Sequence, residues 1–90
     1  HVTEVKGVRL SIRIGEHDLE IRKQQGIRFL ERGDKLKVEL MMKGRERAFR
    51  DRAEEVVKNF IAAVNKDLPV RVDQPVTAQG PKIFAVIART

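Results

Sequence analysis

Lys35-Leu36-Lys37-Val38-Glu39-Leu40-Met41-Met42-Lys43, followed by Gly44-Arg45-Glu46-Arg47-Ala48-Phe49, is the stretch on which the fold turns. Leu36, Val38, Leu40 and Met42 fall on one side of an extended chain, with Lys37, Glu39, Met41 and Lys43 on the other. Alternation with a period of two marks a strand with one buried and one wet face. After Gly44 the spacing changes. Phe49, Ala53, Val56, Val57, Phe60 and Val64 line up along one helical stripe, while Arg45, Arg47, Arg50, Arg52 and Lys58 lie mostly off it. A strand over 35–43 feeding a helix over about 46–65 is therefore the expected centre of the fold.

Working back toward the N-terminus, Val8, Leu10, Ile12 and Ile14 alternate with Arg9, Ser11 and Arg13, which predicts a first strand over 8–14. Gly15 breaks it. Glu16-His17-Asp18 then places capping and acidic side chains where a helix start has unpaired N–H groups and the positive end of its dipole. The first helix is expected over about 19–32, with Leu19, Ile27, Phe29 and Leu30 as its apolar stripe. Gly26 inside it costs about 1 kcal/mol against alanine, so either the helix packs closely against the sheet there or its bounds differ slightly from these. Gly33 supplies a left-handed stop and Asp34 starts the turn.

Toward the C-terminus, Leu68-Pro69 ends the second helix, and Val70 and Val72 alternate with Arg71 and Asp73 in a short third strand that Pro75 confines to an edge. Gln79-Gly80-Pro81 forms a turn. Ile83 through Ala88 is apolar on both faces, as in a central strand. The order is βαβαββ, an α+β fold with a four-stranded mixed sheet and two helices packed on one face. The other face is left open, carrying Arg9, Arg13, Lys37, Lys43 and Arg71, diluted by Glu39 and Asp73.

Ninety residues suffice for one domain and leave no room for a second. With 41% hydrophobic and 36% charged residues, the chain is expected to fold alone, as a packed core under a charged surface. Cysteine is absent, so packing must stabilise the fold, in keeping with a reducing, cytoplasmic setting. No apolar run approaches the roughly 18–20 residues of a membrane span, and no membrane partner is expected. A formal net charge of +6 gives a positive field that draws polyanions, with nucleic acid the leading class. Acidic proteins respond to the same field.

The material for catalysis is poor. There is no cysteine, little serine, and no glycine pair opening a helix at the spacing of a nucleotide fingerprint. His17 between two carboxylates could suggest a metal, but three adjacent residues at a helix start do not converge on one centre. An enzyme, a cofactor, a metal and a small-molecule substrate are therefore not expected. The chain has four phenylalanines and neither Tyr nor Trp, and Phe49 and Phe60 are assigned to the core stripe. Nucleic-acid contacts should then rest on Arg and Lys, reading backbone and shape. The candidates are Arg22 and Arg28, with Gln24, on the first helix, and Lys43, Arg45 and Arg47 where the second strand turns into the second helix. Arg13 at the first strand and Lys82 after the last turn complete the set.

Arg9-Leu10-Ser11 with Glu16-His17-Asp18, then Arg28-Phe29-Leu30-Glu31-Arg32-Gly33-Asp34-Lys35, then Lys43-Gly44-Arg45-Glu46, strongly resemble the C-terminal domain of bacterial translation initiation factor three. The resemblance covers nearly the whole chain. It implies a domain that binds the small ribosomal subunit through 16S-type ribosomal RNA, prevents large-subunit association, and supports selection of initiator tRNA and start codon. Residues 1–90 would be that single ribosome-binding domain, acting as a monomer, with the factor's N-terminal domain and linker absent. The family's basic contact positions carry over as Arg22, Arg28, Lys43 and Arg45. Where the family usually has a basic residue this chain has Gln24, Met41 and Pro81, and Leu19 stands for its usual aromatic. Ala88-Arg89-Thr90 replaces its Ala-Pro-Lys ending. Two other readings compete: a basic module that binds an acidic protein through the open sheet face, with Met41 beside Lys37 and Lys43, and a binder of another structured RNA.

Overall fold

The structure is a computed structural model that describes residues 2–90. Its elements follow the expected βαβαββ order: β1 (Val5–Leu10), α1 (Glu16–Glu31), β2 (Lys35–Met41), α2 (Arg50–Asp67), β3 (Val70–Gln79) and β4 (Lys82–Arg89). The sheet order is β1-β2-β4-β3, with β1 and β2 parallel and β4 antiparallel to both neighbours. β4 is central and β3 an edge, as their sequences predict.

The helices share one face of the sheet. Val8 and Leu10 of β1, Leu36, Val38 and Leu40 of β2, and Ile83, Ala85 and Ile87 of β4 are buried beneath Leu30 of α1 and Ala53, Val57, Phe60 and Val64 of α2. Burying a large aliphatic or aromatic side chain fully stabilises the fold by about 1.5–3 kcal/mol, so this layer is the main source of stability. α1 presses onto β2 at Gly26, where an added Cβ would lie 2.7 Å from Leu36 Cδ2. A methyl group there could be accommodated only if the Leu36 side chain shifted.

Helix ends follow from local hydrogen bonding. At the end of α1 the Gly33 N–H donates to the Leu30 carbonyl (3.0 Å) and the Asp34 N–H to that of Phe29 (3.1 Å), with Gly33 at φ 94°. That double closure needs a left-handed residue, which glycine adopts without a Cβ penalty. Asp34 is buried and accepts from the Glu4 N–H (3.1 Å), while the Lys35 N–H donates to the Glu4 carbonyl (2.8 Å). Together they tie the residues before β1 to the start of β2. At the end of α2, Asn65 Oδ1 accepts from the Val70 N–H (3.0 Å) and so sets the turn into β3.

Several boundaries differ from expectation. β1 ends at Leu10, because a turn over 11–14, closed by the Ile14 N–H on the Ser11 carbonyl (3.2 Å), takes over. Ile12 still reaches the core from that turn. α1 starts at Glu16 rather than near Leu19, and its N-cap is Gly15 without a side-chain acceptor. Glu16 and Asp18 are thus first-turn residues that favour the dipole, not caps. β3, expected to be short, is ten residues long and runs through Pro75. The register slips on both sides of Gln74, which lets an edge strand carry a residue with no N–H.

The largest correction concerns residues 44–49. They form a 3-10 helix, and α2 begins only at Arg50. Phe49, expected in the core stripe, is 59% exposed. The tighter winding and the non-helical φ −111°, ψ 39° at Phe49 break the phase that would have stacked it one turn before Ala53.

Candidate nucleic-acid interface

β1 and β2 run in parallel and end side by side, and β4, antiparallel to β2, begins at the same edge. α1 starts there as well. A cleft of about 550 Å³ opens between these ends, lined by Arg9, Leu10, Ser11, Arg13, Ile14 and Gly15, by Asp18 and Arg22 of α1, and by Glu39, Leu40, Met41, Lys43 and Lys82. Crevices at the carboxyl ends of parallel strands are where open α/β sheets bind ligands. Here the topology gathers five cations around two carboxylates.

The cations are not equivalent. Glu39 faces Arg9 Nε at 3.5 Å, Lys82 Nζ at 3.5 Å and Lys37 Nζ at 3.8 Å, so part of the positive charge is already met on the sheet. Arg13, Arg22 and Lys43 make no ion pair among the described residues, and all three are exposed. They carry the cleft's available charge. The first turn of α1, with no side-chain acceptor at its N-cap, adds N–H groups and a dipole end, opposed locally by Glu16 and Asp18.

Lys43 is held by the 3-10 segment that follows it. Its N–H donates to Glu46 Oε1 (2.8 Å) and its carbonyl accepts from the Glu46 N–H (2.9 Å), across Gly44 at φ 51°. The reciprocal pair fixes the turn that presents Lys43, Arg45 and Arg47.

Of the sequence candidates, Arg13, Arg22, Lys43 and Lys82 meet in this one cleft. Arg28, Arg45 and Arg47 are exposed but do not line it. Arg28 follows Arg22 by six residues, which turns it well round the helix, onto the stripe of Gln24. Arg45 and Arg47 lie on the 3-10 segment beyond Lys43. Arg9 lines the cleft although its alternation assigned it to the open face, because the strand end belongs to both. The rest of that face is largely self-neutralised. Besides the Glu39 cluster, Asp73 binds Lys35 Nζ at 2.8 Å and Arg71 Nε at 2.9 Å. Both partners hold the Asp73 carboxyl below the ordinary aspartate range, Lys35 first. Lys37 Nζ also sits 5.0 Å from the centre of the Phe84 ring.

Among the described residues no group of three or more His, Cys, Asp or Glu side chains is placed to hold a metal ion. No helix is long and apolar enough to cross a membrane.

A profile described as "Translation initiation factor IF-3, C-terminal domain" matches residues 3–90. The chain belongs to this family. Proteins named translation initiation factor IF-3 from three bacteria illustrate the relationship. That of Mesoplasma florum is 31% identical over 83 residues, 92% of this chain and 46% of the relative. That of Prochlorococcus marinus is 39% identical over 82 residues, 89% and 39% of the two chains. That of Nostoc punctiforme is 43% identical over 60 residues, 67% and 34%. The chain thus spans a third to just under half of the curated relatives it matches. The family is one of translation factors, not enzymes.

Positions where this IF-3 C-terminal domain departs from the expected family pattern have local roles. Gln24 Nε2 donates to Glu20 Oε2 (2.8 Å). That bond, with Lys23, holds the Glu20 carboxyl below its ordinary range. Lys23 Nζ also reaches Asp67 at 2.8 Å, tying α1 to the end of α2, and its pKa is raised chiefly by that carboxylate. The Pro81 carbonyl accepts from the Met42 N–H (2.7 Å), closing the end of β2. Leu19 packs partly buried against the core.

Proposed function

We propose that residues 1–90 form one ribosome-binding unit that attaches to the small subunit through 16S-type ribosomal RNA, blocks large-subunit joining and supports selection of initiator tRNA and start codon. It acts as a monomer, in the cytoplasm, sterically and without a cofactor. Family membership supports the partner, and one structural observation carries the site: Arg13, Arg22, Lys43 and Lys82 converge on a single cleft at the strand ends. Arginine forks match paired phosphate oxygens, and lysines add point charge. Arg28, Arg45 and Arg47 are exposed outside the cleft and would add basic surface for an RNA backbone to follow. The open sheet face is a weaker platform for RNA, because Glu39 and Asp73 occupy its cations.

Co-sedimentation with small subunits, large subunits and intact ribosomes tests this. Selective small-subunit binding, with loss of intact ribosomes as the domain is added, is expected. If about five phosphates are neutralised, log affinity should fall against log salt with a slope near −3.5 to −4.5. Equal binding to every RNA-containing particle would leave only a generic basic domain. Capture of an acidic protein that survives nuclease treatment would favour the sheet-face alternative.

A further inference from the structure

Phe49 is the aromatic side chain that the fold turns outward. It is 59% exposed, whereas Phe60 is fully buried and Phe29 and Phe84 are partly covered. The apolar stripe of α2 predicts a buried place for it, one helical turn before Ala53. The 3-10 winding of residues 44–49 instead swings the ring into solvent, next to the exposed and small Ala48.

Its surroundings are strongly basic. Between residues 43 and 52 stand Lys43, Arg45, Arg47, Arg50 and Arg52 against two carboxylates, Glu46 and Asp51. Arg50 Nε reaches Glu54 at 3.5 Å, and Glu46 is engaged by the Lys43 N–H. Arg45, Arg47 and Arg52 are exposed and make no ion pair among the described residues. A flat apolar ring in the same short segment as three unpaired guanidinium groups matches a nucleotide in both of its parts, because the ring can stack on the base while arginines meet the phosphates. An acidic peptide would use the arginines but offer nothing planar to the ring.

We infer that Phe49 stacks on an unpaired base of the RNA bound by this domain, adding a sequence-tolerant stacking contact to an interface otherwise made of charge. The inference rests on the RNA-binding reading above and extends the site beyond the cleft, onto the start of α2.

The chain has no Trp or Tyr, so Phe49→Trp creates a sole fluorophore at this position. Phe49→Leu keeps the apolar surface but removes the ring, and neither change touches the core. With wild-type binding to small subunits established, F49L is expected to weaken it roughly 5- to 150-fold, the range that base–aromatic stacking supplies. F49W is expected to bind like wild type, with its fluorescence quenched on binding. F49L binding as tightly as wild type would overturn the stacking contact while leaving RNA binding intact. F49W brightening and shifting to the blue on binding would also overturn it, in favour of an apolar protein pocket. Failure of the wild-type chain to bind small subunits would remove both readings.

Discussion

Leu36 Cδ2 occupies the space where a side chain on Gly26 would begin, 2.7 Å from the position of its Cβ. α1 can approach β2 this closely because one partner is large and the other has no side chain. Gly26→Ala gains about 1 kcal/mol of helix propensity but must push Leu36 aside in a filled core, and overpacking of this kind costs about 1–3 kcal/mol. The substitution should therefore be neutral or destabilising in the native background. Leu36→Ala alone should cost about 2–5 kcal/mol. In the Leu36→Ala background, Gly26→Ala should become stabilising by about 1 kcal/mol. Denaturant unfolding of the four proteins of this cycle measures the coupling, and additive effects would show that the two residues do not compete for space.

Asp73 accepts from Lys35 and Arg71, and its carboxyl titrates below the ordinary aspartate range. A folded-state pKa below the unfolded value means that the contribution is present above about pH 3.9 and is lost as pH falls through the lower folded value. Asp73→Asn should therefore lower the unfolding midpoint at neutral pH, with the gap to wild type holding down to about pH 5 and closing in more acid solution. Urea unfolding across that range is the measurement. A gap that widened on acidification would contradict the assignment.

Most of the fold was legible in the sequence because each element carried an unambiguous period. β2 and β4 alternate or saturate with apolar residues as half-buried and central strands must, and Ala53, Val57, Phe60 and Val64 of α2 are all buried as their spacing requires. Segments with two competing signals were misread. Ile12 and Ile14 continue the alternation of β1, yet the chain turns there and Ile12 reaches the core from a turn, which periodicity cannot distinguish from a strand. Phe49 fits the stripe of α2, but Gly44 and the reciprocal Lys43–Glu46 bonds wind the chain more tightly before α2 starts. Glu46, three residues after Lys43, was the available signal. The convergence of Arg13, Arg22, Lys43 and Lys82 was not legible, since it depends on three strand ends and a helix start sharing one edge of the sheet.

Arg22 and Lys43 are exposed, line the cleft and make no ion pair among the described residues, so their charge is free for a ligand. Replacing both with alanine should leave the unfolding midpoint nearly unchanged. It should weaken small-subunit binding and reduce the log–log salt slope by about 1.4–1.8, at roughly 0.7–0.9 per phosphate contact. Arg9→Ala should reduce the slope less than either single change, because Arg9 already faces Glu39 at 3.5 Å. Titrations at several salt concentrations separate these cases, and an unchanged slope in the double variant would remove the cleft from the binding site.

Glu46 offers a test in which two physical effects have opposite signs. It is a carboxylate in a basic segment, so by field alone Glu46→Ala should strengthen binding to RNA. It also accepts from the Lys43 N–H at 2.8 Å and so fixes the turn carrying Lys43, Arg45 and Arg47. Without that acceptor the 3-10 segment loses a closing bond, and ordering its long cationic side chains on the ligand costs additional conformational entropy. Long-range repulsion from one exposed carboxylate is screened within about 8–10 Å at moderate salt, whereas loss of the turn is not screened at all. Positioning should therefore prevail, and Glu46→Ala should weaken small-subunit affinity several-fold. Glu46→Gln, whose amide oxygen can still accept from the Lys43 N–H, should recover most of the loss. If both substitutions tightened binding equally, Glu46 would act only through its charge, and the reciprocal bonds with Lys43 would have no part in recognition.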